Sequence, residues 1–218
     1  MINADVQYVR KMLEAGVIRS PCLELGVGYG GETNKALLQQ ANIKYLGTDM
    51  IVGPEVDYVV NFEESCDVIH ECFKMAPPLS SALVLNVLEH TFDPIRILDN
   101  VFSLLVAGGT CVIITPTVWP LHNYPCDCWR INPNFYEEYC KRRRHRLLVN
   151  TFEYVGYHPV RQNLDSTGQY QLPSPTQNRA KRLWSRLVHK VFNTYGRGMF
   201  FPSHIATGVV IEKVGNNV

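Results

Sequence analysis

The sequence predicts an α/β fold, Rossmann-like, with a mostly parallel sheet and helices on both faces. Three observations carry this. From residue 22 to residue 115, short apolar runs alternate with helix-patterned stretches, the rhythm of βαβ units. The run Ala82-Leu83-Val84-Leu85-Asn86-Val87 is almost continuously apolar, as a parallel strand covered on both faces must be. Glycines cluster at 26, 28, 30 and 31, where the first apolar run ends and the next helix begins. There a tight turn lets a ligand approach the backbone closely.

The elements follow in order. Residues 5–13 predict a helix, because Val6, Val9, Met12 and Leu13 recur at helical spacing and Gly16 closes it. Residues 22–25 predict a short buried strand ending in glycines, and residues 32–40 a helix. Residues 45–47 predict the second strand, closed by Asp49, and residues 56–60 the third. Residues 82–87 form the fourth strand and residues 94–105 a helix. Gly108-Gly109 is read as the turn into a fifth strand at 110–115, which Pro116 is expected to stop.

Beyond Pro116 the pattern changes. Residues 117–134 predict a loop rich in aromatic residues, Pro and His; 134–141 a helix; 146–154 and 204–214 β-structure. Between the last two, residues 171–177 form a Pro/Ser/Gln linker. Residues 179–192 form an amphipathic helix, with Ala180, Leu183, Trp184, Leu187, Val188, Val191 and Phe192 on one face. The chain is therefore read as one domain over 1–218, with a core of about 1–154 and 204–214 and an insert of about 155–203 (boundaries to a few residues).

Composition narrows the classes. A length of 218 residues and 46% hydrophobic content can fill a core, which excludes global disorder. The net charge of +1 hides a split: residues 1–140 carry 8 basic and 17 acidic side chains, residues 141–218 carry 13 basic and 3 acidic. Such asymmetry bears on partners rather than on fold. Seven scattered cysteines, mostly in apolar contexts, act as small hydrophobes and suggest a reducing compartment. With no membrane-length apolar run and no basic n-region at the start, a cytoplasmic protein is expected. His122, Cys126 and Cys128 lack the spacing of a zinc set, so no metal is expected.

The glycine turn alone fits more than one nucleoside cofactor. Gly26, Gly28 and Gly31 match a dinucleotide spacing, with Asp49 near the distance of a ribose-binding acid. Glu24, two residues before Gly26, argues otherwise: a carboxylate repels a pyrophosphate and attracts an amino acid carrying a sulfonium. Here the sequence resembles a known family. Glu24-Leu25-Gly26-Val27-Gly28-Tyr29-Gly30 is similar to the first motif of class I S-adenosylmethionine-dependent methyltransferases, and Tyr45-Leu46-Gly47-Thr48-Asp49 to the second. Asn86-Val87-Leu88-Glu89-His90 with Asp93-Pro94 resembles the motif after the fourth strand in the small-molecule, type 11-like branch. Leu105-Val106-Ala107-Gly108-Gly109 resembles its Leu-x-Pro-Gly-Gly turn, with Ala107 in place of Pro. His122-Asn123-Tyr124-Pro125-Cys126-Asp127-Cys128-Trp129-Arg130 resembles a His-x-Tyr-Pro-x-Asp-Tyr-Trp-Arg loop of that branch, with Cys128 in place of an aromatic. The resemblance spans roughly residues 20–160.

The resemblance implies a seven-stranded sheet with an antiparallel last strand and a helical insert between the last two strands. It implies S-adenosyl-L-methionine as cofactor and S-adenosyl-L-homocysteine as product. Glu24 would lie near the methionine amino group, Gly26, Gly28 and Gly30 would give the cofactor room, and Asp49 would accept from both ribose hydroxyls. Met50 would pack on the adenine, Asn61 would accept from its amino group, Phe62 would cover the base, and Asn86 would lie beside the sulfonium.

For the acceptor, methyl transfer needs alignment and, with a hydroxyl, removal of a proton. His122, with Asp127 near it to orient the ring, and His90 are the two candidate bases. The plainer readings are a histidine bonded to loop backbone and one packed under the cofactor. Trp119, Tyr124, Trp129 and Arg130 could line an acceptor pocket, with Arg130 pairing an anion. The basic C-terminal part favours an anionic or carrier-linked small molecule or glycan. Nucleic acid is not favoured, since no RNA-binding module is visible, and helix 179–192 could form a homodimer. O-methylation is the leading expectation, followed by N-methylation of a small or carrier-bound substrate. An NAD-dependent oxidoreductase and a non-catalytic binding protein on the same fold are the rivals.

Overall fold

The first helix, α1 (Asn3–Glu14), turns Tyr8, Val9 and Met12 inward. It leads into β1 (Cys22–Leu25), whose four residues are all buried. The computed structural model describes residues 3–28, 33–119, 122, 126–156, 187 and 205–215. Next come α2 (Lys35–Gln40), β2 (Tyr45–Asp49), the two-residue β3 (Tyr58–Val59), α3 (Cys66–Cys72) and β4 (Leu79–Leu85). A 3-10 turn at Leu88–His90 precedes α4 (Pro94–Leu104), which Asp93 caps by accepting from Arg96 N–H at 3.0 Å. Pro at the first helical position fits that start, since its missing N–H is not needed there. The long β5 (Leu105–Val118), α5 (Pro133–Arg143), β6 (Arg146–Leu147), β7 (Glu153–Gly156) and β8 (Ile205–Glu212) complete the described elements.

The sheet runs β3-β2-β1-β4-β5-β8-β6, with β7 also paired to β8. β1 to β5 are parallel; β8 lies antiparallel to β5. β6 pairs with one end of β8 and β7 with the other, so the eight strands among the described residues occupy seven positions. The stretch expected as β-structure over 146–154 is thus broken by a second 3-10 turn at Val149–Thr151.

Strand alternation divides the core in two. Ala82 and Val84 of β4 and Cys111 and Ile113 of β5 face α3, α4 and α5. Leu83, Leu85, Val112 and Ile114 face α1 and α2. Both faces of the central strands are covered, which is why they are apolar throughout.

Several expectations shift. β4 begins at Leu79 and ends at Leu85, not at 82 and 87; β3 is shorter than 56–60; and α3 had no expectation at all. Gly108-Gly109 is not a turn between elements but an irregularity inside β5. Gly108 adopts φ +74, and the register with β4 shifts between Leu79 and Ser81. Pro116 does not stop β5: it lies opposite Ala206 beside a second register shift, where the missing N–H is tolerated. The linker at 171–177, the insert and the helix at 179–192 lie outside the described residues, except Val155 and Gly156, which end β7, and Leu187, which is helical. No helix among the described residues is long and apolar enough to cross a membrane.

Candidate functional site

The carboxyl ends of β1, β2 and β4 and the loop after β3 line a cavity of about 560 Å³, within the range of small-molecule sites. On its β1 side Glu24 is buried. One carboxylate oxygen accepts from Asn34 N–H at 3.0 Å and the other from Asn34 Nδ2 at 2.6 Å. Burial pushes the Glu24 carboxyl up and the Asn34 bonds oppose the shift. Gly26 holds φ +81, and a Cβ there would stand 2.9 Å from Val87 Cγ2.

Asp49 closes β2 on the same wall. It accepts from Gly28 N–H at 2.8 Å and Ile51 N–H at 3.1 Å. A Cβ at Gly28 would lie 2.6 Å from Asp49 Cγ, so any side chain there would displace the carboxylate. Gly30 lies outside the described residues. Met50 is exposed on the cavity wall; Phe62 is buried, edge-on to Phe73 at 5.8 Å, and also borders the cavity. Asn61 Oδ1 accepts from Glu63 N–H at 2.9 Å, which leaves its second lone pair for a further donor. Asn86 adopts φ +53 just after β4, and its Nδ2 donates to Asp5 Oδ2 of α1 at 3.0 Å. Asn tolerates this left-handed conformation better than most residues.

The opposite wall comes from distant segments. His90 lies at the end of the 3-10 turn on the cavity wall, and its Nδ1 is 2.6 Å from the Cys126 carbonyl oxygen. Burial lowers the His90 pKa. Its ring meets that of His122 edge-on, with centroids 4.9 Å apart. Asp127 is fully buried at its side chain and receives His122 twice: backbone N–H at 2.9 Å and Nδ1 at 3.1 Å, both on Oδ2. A forked pair with Arg130 completes its shell, Arg130 Nη2 donating to Oδ2 at 2.5 Å. That guanidinium above all holds the Asp127 pKa at about 2, against the opposing pull of burial. Arg130 also bonds the carbonyls of Trp119, at 3.3 Å, and Trp129, at 2.8 Å. Trp119 is half-buried. Trp129 is partly exposed, and its Nε1 donates to the Thr91 carbonyl at 3.0 Å. Tyr124 lies outside the described residues.

The structure therefore gathers Glu24, Asp49, Met50, Asn61, Phe62, Asn86 and His90 around one cavity. His122 and Asp127 stand behind His90. Four residues that sequence reasoning did not single out matter here. Asp5 holds Asn86 and Asn34 holds Glu24. Glu63 Oε1 ties the loop after β3 to Phe92 N–H and Asp93 N–H at 2.6 and 2.9 Å. Glu89 is fully buried, and neither carboxylate oxygen has a hydrogen-bond partner among the described residues. Burial pushes its pKa up to about 8. The sequence signal for Glu89 was only its place beside His90.

No family model matches the sequence, and no curated protein matches it. Solved structures do. A SAM-dependent methyltransferase from Archaeoglobus fulgidus superposes with a TM-score of 0.55 at 14% identity, covering 97% of this chain and 95% of that one. The 1,6-didemethyltoxoflavin-N1-methyltransferase of Burkholderia thailandensis, solved with S-adenosylhomocysteine, gives 0.55 at 12% identity over 98% and 79%. The [4+2]-cyclase SpnF gives 0.50 at 16% identity over 97% and 80%. The fold is that of the class I methyltransferases.

Proposed function

We propose that the chain is an S-adenosylmethionine-dependent methyltransferase acting on an oxygen of a small molecule or glycan. The observation that carries the reading is the pair Glu24 and Asp49 at the ends of adjacent parallel strands. They stand on either side of a glycine turn and face one cavity. A buried carboxylate at the first position suits a cation, and one at the second suits a diol. Two walls fit the bound group. The turn at Gly26 and Gly28 has no room for side chains, and Met50 and Phe62 offer apolar surface beside Asn61.

When bound, S-adenosylmethionine supplies a methyl group on a sulfonium. The chain's own residues do the rest. Glu24 fixes the amino acid end and Asp49 the ribose, while Asn86, after β4 on the other side of β1 from Asp49, borders the same cavity. Asp127 holds His122 with Nδ1 toward the carboxylate, so the Nε2 lone pair is the one that can take a proton from an acceptor hydroxyl. His90, bonded to the Cys126 carbonyl, carries its lone pair on Nε2 as well. Aligning acceptor and methyl carbon is the larger contribution in a displacement of this type.

The buried Glu24 disfavours a pyrophosphate-bearing cofactor. Isothermal calorimetry should accordingly show S-adenosylhomocysteine binding and no NAD binding; the reverse result sinks the proposal. Because a [4+2]-cyclase shares the fold, turnover needs its own test. That test is transfer of a tritiated methyl group in a screen of metabolites, glycans and carrier-linked acceptors.

A further inference from the structure

We infer that Glu89, His90 and His122 form a binding site for a divalent first-row transition metal on the acceptor side of the cavity. One ligating atom from each lies within 4.8 Å of the other two. His90 Nε2 is 3.7 Å from Glu89 Oε1. Bonds of about 2.0–2.1 Å to a tetrahedral ion place its ligand atoms about 3.3 Å apart, so a contraction of a few tenths of an ångström closes this pair on an ion.

Three features separate this cluster from an incidental one. The Glu89 carboxylate is fully buried yet has no hydrogen-bond partner on either oxygen among the described residues. Buried carboxylates are costly unless paired or bound to a cation. Both imidazoles are oriented from behind: His90 Nδ1 meets the Cys126 carbonyl and His122 Nδ1 meets the Asp127 carboxylate. Metal-binding histidines are held in this way, with one ring nitrogen on a carbonyl or carboxylate and the other on the ion. Finally, the fully covered Asp127 side chain is gripped by a forked pair with the half-buried Arg130, so the orienting carboxylate is itself fixed.

Two imidazoles and one carboxylate suit zinc or ferrous iron more than magnesium or calcium, which favour oxygen ligands throughout. Three protein ligands leave at least one position open. His90 lines the cavity, so that position can meet an acceptor. The use of the ion rests on the methyltransferase reading. An acceptor hydroxyl bound to the ion releases its proton to solvent. The oxygen then attacks the methyl carbon as the carbon–sulfur bond breaks and its electron pair stays on sulfur. His122 then holds the ion and no longer takes the proton. Sequence spacing had pointed away from a metal because it paired His122 with Cys126 and Cys128. The fold supplies Glu89 and His90 instead, 33 and 32 positions upstream.

The test uses the full-length protein after chelator treatment, titrated with Co²⁺ and read by calorimetry and visible absorption. One equivalent should bind, with d–d bands of low coordination number. His90→Ala, His122→Ala and Glu89→Gln should each weaken Co²⁺ by at least about 100-fold. Asp127→Asn, which reaches the ion through His122 and also loosens the Arg130 pair, should weaken it about 10–100-fold. The double variant Cys126→Ser, Cys128→Ser should bind as wild type. If Glu89→Gln fails to fold, His122→Ala decides, because that ring is one-third exposed. Absence of stoichiometric binding, or binding lost with the cysteines and kept in the histidine variants, overturns the inference. S-adenosylhomocysteine titrated into the same metal-free protein separates the two readings. If it binds while Co²⁺ does not, only the metal site falls. If Co²⁺ binds while it does not, the methyltransferase reading falls and the metal site stands.

Discussion

The two walls of the cavity are built differently. The wall proposed to hold the cofactor stands on strand ends, and its two carboxylates are held by residues no more than 21 positions away: Asp49 by Gly28 and Ile51, Glu24 by Asn34. The wall proposed for the acceptor joins segments at least 36 residues apart, through His90 to the Cys126 carbonyl and Cys128 N–H to the Glu89 carbonyl at 2.7 Å. A strand end is placed by the sheet register, which many hydrogen bonds enforce together. A docked loop is placed by a few side-chain contacts, so single substitutions can dismantle it. The two walls should therefore respond separately to mutation: one in affinity for the cofactor, the other in turnover.

The largest effect should fall on the acceptor wall. His122→Ala should lower turnover about 10²–10⁴-fold and leave S-adenosylhomocysteine affinity unchanged. Single-turnover methyl transfer and calorimetry on the same preparation check both halves. If affinity falls in parallel, the walls are not separable.

The converse test targets the cofactor wall. Asp49→Ala should weaken S-adenosylhomocysteine by about 1–3 kcal/mol, the cost of losing hydrogen bonds to a charged group. That corresponds to about 5–150-fold in Kd. Gly28→Ala should act in the same direction, because its Cβ would meet the Asp49 carboxylate at 2.6 Å. Unchanged affinity in both variants removes Asp49 from the site.

The same contrast explains what was legible in the sequence. Parallel strands declare themselves by unbroken apolar runs, so β1, β2 and the middle of β5 were predicted within a residue or two. The placement of Glu24 and Asp49 on one cavity was legible because they lie next to last in β1 and last in β2, beside a glycine turn. α3 was missed because Cys66–Cys72 offers one buried residue, Ile69, and so little apolar periodicity. β5 ran on past Pro116 because pairing with β8 overrides a local stop signal. The burial of Glu89 was not legible, since nothing local shows that its carboxylate would be covered. Asp5 was hidden for a related reason: its contact with Asn86 spans 81 positions.

A smaller effect sharpens the cofactor wall. Burial raises the Glu24 pKa in the ligand-free protein. A cationic amino group binds the ionised form, so binding expels a proton and affinity should rise with pH up to that raised pKa. The slope is at most tenfold per pH unit for one proton. Stability of the ligand-free protein runs the other way. Between the ordinary glutamate pKa and the raised one, the folded state holds more of the proton, so stability falls as pH rises. Calorimetry of S-adenosylhomocysteine across this range should show the rise in wild type and a flat profile in Glu24→Gln. A rise that survives in Glu24→Gln assigns it to another group.

The smallest effect belongs to neither wall. The acidic and basic parts of the chain meet where Arg143, at the end of α5, grips Asp99 of α4 through two bonds of 2.8 and 2.6 Å. Both side chains remain more than one-third exposed, and exposed pairs contribute only about 0.2–1 kcal/mol. Tyr139 also donates to Asp99 at 3.0 Å, so the carboxylate keeps a partner when Arg143 is removed. Arg143→Ala should thus lower unfolding free energy by no more than about 1 kcal/mol, by less at high salt, and leave cofactor affinity and turnover intact. Urea unfolding at two ionic strengths checks the first two points. A larger loss would mean that the basic run holds the domain together. A loss of turnover without a loss of stability would mean that it faces the acceptor. In that case the acceptor KM should rise with salt, because exposed steering charges are screened over about 10 Å at 0.1 M and about 3 Å at 1 M.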